Sequence, residues 1–206
     1  DDAGIRDKTT VLVVADHGFT LTPQAIKPNV VLRQNKLLQI APGGKISEAR
    51  VHVVPEGGIG LVYCTEPASA AADARRAQQL LTGQEGVAAV LTPDQFREHG
   101  LPHPREYTQS PDLVLVAKDG YGVSGSAEGD SFVAAGTEAK VSAGSHGFVS
   151  TERKMNAVCV LAGYGITRGV RLKNVENTDI APTIAQLLNL RLPADGKVLN
   201  EALDGK

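Results

Sequence analysis

The 206-residue chain has no tryptophan, and its four tyrosines and four phenylalanines make it only 4% aromatic. Platforms that stack successive bases of a single strand need more rings than this. Positive charge is not in excess: 21 Lys and Arg stand against 23 Asp and Glu, for a net charge of −2. That balance argues against a nucleic-acid wrapper or a binder of anionic membranes, both of which depend on a dense basic field. No apolar run approaches the roughly 18 residues of a membrane span. Cys64 and Cys159 are the only cysteines and form no CxxC motif; each sits in an apolar run and reads as a free thiol acting as a small hydrophobe. What is present is ordinary globular chemistry, 42% hydrophobic and 21% charged residues, with 22 Gly and 11 Pro for turns.

The chain opens Asp1-Asp2-Ala3-Gly4 with neither an initiator Met nor a leader. Residues 1–8 read as the end of a helix and a loop entering a strand, which points to the C-terminal part of a longer protein. Continuous apolar runs at 9–15, 112–117 and 157–162 are what strands covered on both faces by helices show. These three are expected in one mostly parallel sheet. Helical signals lie at 29–39, at 68–81, which is Ala-rich, and at 181–190, where Pro182 falls in a first turn. Between them, strands at 51–54, 59–64 and 87–91 with the 68–81 helix give a β-β-α-β order. That order packs as a small ferredoxin-like lobe, and Leu101-Pro102-His103-Pro104-Arg105 reads as the linker leaving it. The expected organisation is therefore α/β, with a core at 1–45 and 106–206 and an inserted lobe at 46–105.

Asp16-His17-Gly18 directly follows the first apolar strand. Ligands collect beyond the carboxyl ends of strands in open α/β sheets, and an adjacent carboxylate and imidazole suit a divalent cation such as zinc. The plainer reading is a strand-end turn with a solvated pair. Gly144-Ser145-His146-Gly147-Phe148 places a second histidine between glycines, where the alternative is an exposed loop. Two such loops at one sheet edge are how a two-metal hydrolase is built. His52 alternates with valines on a short strand and reads as outward-facing. His99 and His103 match no metal spacing. Gly57-Gly58-Ile59-Gly60 precedes a strand rather than a helix, so it reads as a hairpin turn and not a phosphate loop. Ser145 and Ser150 lack a nucleophile elbow, and Asp179 reads as part of a helix cap.

The order Val13 to Phe19, Asp112 to Tyr121, Gly144 to Phe148, Thr178 to Leu188 and Asp195 to Leu199 resembles the C-terminal half of alkaline phosphatase superfamily enzymes. In particular it resembles the type I phosphodiesterase/nucleotide pyrophosphatase branch. This resemblance implies an alkaline-phosphatase-like α/β fold, here as a partial domain, and two divalent metal ions, zinc in the complete enzyme. It assigns Asp16 and His17 to one metal and His146 to the other. The remaining ligands and the Thr or Ser nucleophile lie upstream in the family and have no counterpart here. The implied activity is hydrolysis of a phosphodiester or pyrophosphate bond in a nucleotide-type small molecule, and the chain alone is expected to hold little metal and be inactive. Many family members are exported, so the resemblance points to a periplasmic or secreted parent protein. Two alternatives stay open on sequence: a phosphoglycerate mutase or phosphopentomutase relative, which also carries a DHG motif, and a non-catalytic scaffold derived from the fold.

Overall fold

The computed structural model describes residues 3–205; Asp1 and Asp2, read as the tail of a helix, lie outside them. Contacts divide the chain into two compact units, Asp1–Gly18 with Asn156–Lys206, and Phe19–Met155. In chain order the strands and helices are β1 (Thr10–Val14), β2 (Thr20–Leu21), β3 (Gln24–Ile26), α1 (Pro28–Gln34), β4 (Leu38–Ile40), β5 (Ile46–Ala49), β6 (Val51–Glu56) and β7 (Ile59–Cys64). There follow α2 (Ala70–Leu81), β8 (Val87–Leu91), α3 (Pro93–Phe96), β9 (Leu113–Ala117), β10 (Tyr121–Val123), β11 (Val133–Ala135), β12 (Gly144–Ser145), β13 (Cys159–Gly163) and α4 (Ile180–Leu187).

The Phe19–Met155 unit is built on the sheet β6-β7-β9-β8. Its central strand, β9, is buried at every residue. Leu113, Leu115 and Ala117 enter the main core with Val53, Val62, Ala77 and Leu81; the alternate Val114 and Val116 meet Leu91 and Phe96 on the other face. This corrects the expected placement of the 112–117 run. It pairs antiparallel with β7 and β8 and not with β1 and β13, so the boundaries read near 45 and 105 cut through a sheet that is continuous. A strand buried on both faces has a continuous apolar sequence whatever the direction of its partners, so the run alone could not reveal its sheet. Among the described strands only β10 and β3 pair in parallel; the other ladders are antiparallel, which corrects the mostly parallel expectation within this chain.

Helix α2 begins where Arg50 and Ser69 converge on the buried Asp73. The Arg50 guanidinium donates to both carboxylate oxygens, at 3.2 and 2.5 Å, and the Ser69 hydroxyl donates at 2.7 Å. The 29–39 helix signal is realised only as far as Gln34. Lys36, at φ 60°, turns the chain out of the helix, and Leu37 and Leu38 enter the core from the start of β4.

In the other unit β1 pairs antiparallel with β13, placing Val11 opposite Ala162 and Val13 opposite Val160. Val11, Val13 and Val160 are 52%, 54% and 51% exposed, so the 9–15 run is not covered on both faces as its sequence suggests. Helix α4 follows a 3-10 turn, Asn177–Asp179. Buried Asp179 accepts the Glu176 and Lys197 N–H groups at 3.1 and 2.9 Å. Thr183 donates to the Asp179 carbonyl at 2.7 Å and accepts the Leu199 N–H at 3.0 Å, tying the C-terminal segment to the helix. No helix among the described residues is long and apolar enough to cross a membrane.

Candidate functional site

Asp16 and His17 lie just past β1, after Ala15 has bonded to the Val158 carbonyl at 3.2 Å. The Asp16 carboxylate uses Oδ1 to accept the His17 N–H at 3.1 Å. Its Oδ2 lies 3.4 Å from His17 Nε2. The other ring nitrogen is committed: a carbonyl can only accept, so His17 Nδ1 donates to Gly18 O, at 2.7 Å. An Nδ1–H given to a main-chain carbonyl is the arrangement found at metal-binding histidines, and Nε2 is the nitrogen that faces Asp16 Oδ2. Two donors on neighbouring vertices of a tetrahedron with metal bonds of about 2.0–2.2 Å are separated by about 3.3–3.5 Å. The Asp16 Oδ2 to His17 Nε2 distance fits that edge. The carboxylate is open to solvent and the ring half-exposed, so both donors are accessible. A further residue, Asn177, donates its side-chain amide to the Asp16 carbonyl. Its separation of 161 residues left no sequence signal.

His146 belongs to the Phe19–Met155 unit. It follows β12, which pairs with β2 over two residues. Its ring lies 6.5 Å from that of Phe19, and its carbonyl accepts the Gly58 N–H at 2.9 Å. Within its own unit each loop is fixed locally: Asp16 with His17 in one, and His146 through its main chain in the other. Among the described residues no group of three or more His, Cys, Asp and Glu side chains is gathered for a metal.

The remaining candidates take structural roles. His52 alternates with the buried Val51 and Val53, so it lies on the other face of β6, half-buried and stacked on Tyr63 at 5.9 Å. His103 Nδ1 accepts the Arg105 N–H at 3.0 Å, organising the Pro-rich loop. His99 gives its carbonyl to the Ser150 hydroxyl at 3.0 Å. Gly57 and Gly58 form the β6–β7 hairpin turn. Both cysteines are free and half-buried.

The sequence pattern of type I phosphodiesterases / nucleotide pyrophosphatases matches residues 1–149. The chain belongs to that family. Its fold is also similar to human ectonucleotide pyrophosphatase / phosphodiesterase 5, at 14% identity and a TM-score of 0.65, over 99% of this chain and 48% of that one. The murine protein of the same name matches at 16% identity and a TM-score of 0.64, over 98% of this chain and 48% of that one. An inactive variant of the murine protein in complex with AMP matches at 16% identity and a TM-score of 0.60, over 95% of this chain and 45% of that one. The chain therefore spans about half the length of these structures. None of the curated proteins matches it in sequence. A mixed α/β fold shared with part of a phosphodiesterase is what the resemblance implied.

Proposed function

We propose that this chain is part of a two-metal phosphodiesterase or nucleotide pyrophosphatase. In this reading Asp16 and His17 hold one divalent ion, zinc by donor chemistry, and His146 contributes to the other. The observation that carries it is the 3.4 Å pairing of Asp16 Oδ2 with a His17 ring whose Nδ1–H is held by Gly18. Family membership over residues 1–149 supports the reaction class, and the AMP complex of the murine relative favours a nucleotide-type substrate.

When bound, a pair of such ions stabilises the attacking and leaving oxygens of an in-line displacement at phosphorus. The chain's own residues prepare for it. Asp16 divides its carboxylate, with Oδ1 holding the following main-chain N–H and Oδ2 left to bind. The Gly18 carbonyl keeps the proton on Nδ1, so His17 Nε2 needs no tautomer change before it binds. His146 is held through its main chain by the Gly58 N–H, and in this reading its ring is the ligating group. The nucleophile and the other ligands come from residues outside this chain. With two ligands for one metal and one for the other, the isolated chain binds zinc weakly, because zinc needs about three protein ligands and water even in a catalytic site.

The test is imidazole NMR of the chain during zinc titration, beside a chromogenic phosphodiester assay. The His17 and His146 signals move with zinc, Asp16→Ala raises the His17 midpoint about tenfold or more, and the chain alone gives no turnover. Zinc that leaves both rings unmoved overturns the metal assignment. Turnover by the chain alone that His146→Ala abolishes overturns the divided site.

A further inference from the structure

We infer that the Gly57–Gly58 turn, at the tip of the β6–β7 hairpin, is the positioning device for His146; the inference deepens the proposed function and rests on its reading of His146 as a ligand. Regular pairing holds the His146 loop only weakly, through the two residues of β12. The hairpin tip supplies the rest. Gly58 N–H donates to His146 O at 2.9 Å, and on the other side Gly57 O and Gly58 O accept the N–H groups of Val123 and Ala117 at 2.7 and 2.9 Å. A continuous line of main-chain hydrogen bonds thus runs from the central strand β9, through the turn, to the histidine.

The contact leaves no room for side chains. Gly57 has φ +72°, and a Cβ there would lie 2.1 Å from His146 O and 2.7 Å from Ser145 Oγ. A Cβ on Gly58 would lie 2.3 Å from the Phe148 ring. From the opposite side, Gly147 has φ +75°, and its Cβ would lie 1.9 Å from Glu56 O. The two backbones interlock, so Gly147 beside the histidine and the glycines of the distant hairpin are one feature. Real Cβ contacts do not occur at such distances, and at Gly57 and Gly147 the atom met is main chain, so relief means that the hairpin and the His146 loop shift against each other.

The test compares Gly57→Ala with Gly120→Ala. Gly120 has φ +82° with nothing within 4 Å of its would-be Cβ, so that variant carries the same backbone strain without the contact. Imidazole NMR follows the His17 and His146 ring signals without metal. In Gly57→Ala the His146 signals, next to the Phe19 ring, move while those of His17 stay, and in Gly120→Ala both stay. A folded Gly57→Ala variant whose His146 signals do not move overturns the inference. If Gly57→Ala does not fold, Gly58→Ala, whose Cβ meets the movable Phe148 ring, is read in its place. His146 signals that move in it support the inference, and unmoved ones overturn it. Zinc added to the wild-type chain tests the ligand reading separately: a His146 ring that ignores zinc overturns that reading and leaves the positioning to the metal-free signals.

Discussion

Asn29 acts as a neighbouring strand for Val53. β6 is an edge of its sheet, so one side of Val53 has no ladder partner. The fully buried Asn29 side chain fills that role: Oδ1 accepts the Val53 N–H at 2.8 Å and Nδ2 donates to the Val53 carbonyl at 2.9 Å. The same Nδ2 donates to the Gly125 carbonyl at 3.0 Å. A primary amide has the donor and acceptor of a peptide group, which is why Asn, and not Asp or Leu, can satisfy both groups of one residue.

Replacing Asn29 by Ala leaves the Val53 N–H and C=O buried and unpaired. At about 1–3 kcal/mol for each orphaned group, with some water entering the gap, the variant should lose about 2–4 kcal/mol. Urea unfolding measures it. A loss under about 0.5 kcal/mol, the scale of a neutral surface change, would mean that the amide is not holding the edge.

Burial separates two apolar positions that look alike in sequence. Leu115 is fully buried, and Leu115→Ala should cost about 2–5 kcal/mol through lost transfer energy and a residual cavity. Val13 is 54% exposed in an equally apolar run, and Val13→Thr should change stability by no more than about 0.5 kcal/mol. Equal losses in the two variants, compared by chemical denaturation, would contradict the exposure of the β1 face.

The contrast explains what could be read from the sequence. The runs at β1 and β9 were legible as strands because β-branched residues and flanking turns mark them locally. Their environments were not, because composition does not say which strand lies alongside: β9 is central and antiparallel, and β1 is half bare. Asp16-His17-Gly18 was legible because all its geometry is local, down to the Gly18 carbonyl that fixes the ring. The clamp of Asn29 on Val53 and the interlock of Gly57 with His146 join residues far apart in the chain. The glycines could be read as turn formers, but nothing local says which main chain they must admit.

Asp179 should make the fold acid-sensitive. The Lys197 and Glu176 N–H groups, in that order, hold its carboxyl below the ordinary 3.8. A carboxylate with a lowered folded pKa adds stability that is present above its unfolded pKa and lost as pH falls through the folded value. Asp179→Asn should therefore be less stable than wild type at pH 7, with the gap narrowing below pH 3.8. Thermal melts across pH 2.5–7 (about the span of carboxylate titration) would show it, and a gap that stays constant would rule out the carboxylate as the cause.

Cys64 should be a slow thiol. Burial first, then the charges of Asp112 and Asp73 and a side-chain hydrogen bond to Asp112, push its pKa up to about 12. The Asp112 carboxylate is held in place by the Cys64 N–H at 2.7 Å, so the two interactions reinforce each other. At pH 8 about one molecule in 10⁴ carries the thiolate, against about a quarter for a free cysteine. The more basic thiolate is intrinsically more nucleophilic, which restores roughly a factor of 30–50. The net expectation is labelling by a disulfide reagent about 50-fold slower in the native chain than in the unfolded chain. Stopped-flow labelling in a Cys159→Ser background isolates the site. Asp112→Asn should speed the native reaction, and only modestly, because burial is the larger cause. Native and unfolded rates that coincide would show that the thiol is neither buried nor opposed by the two carboxylates.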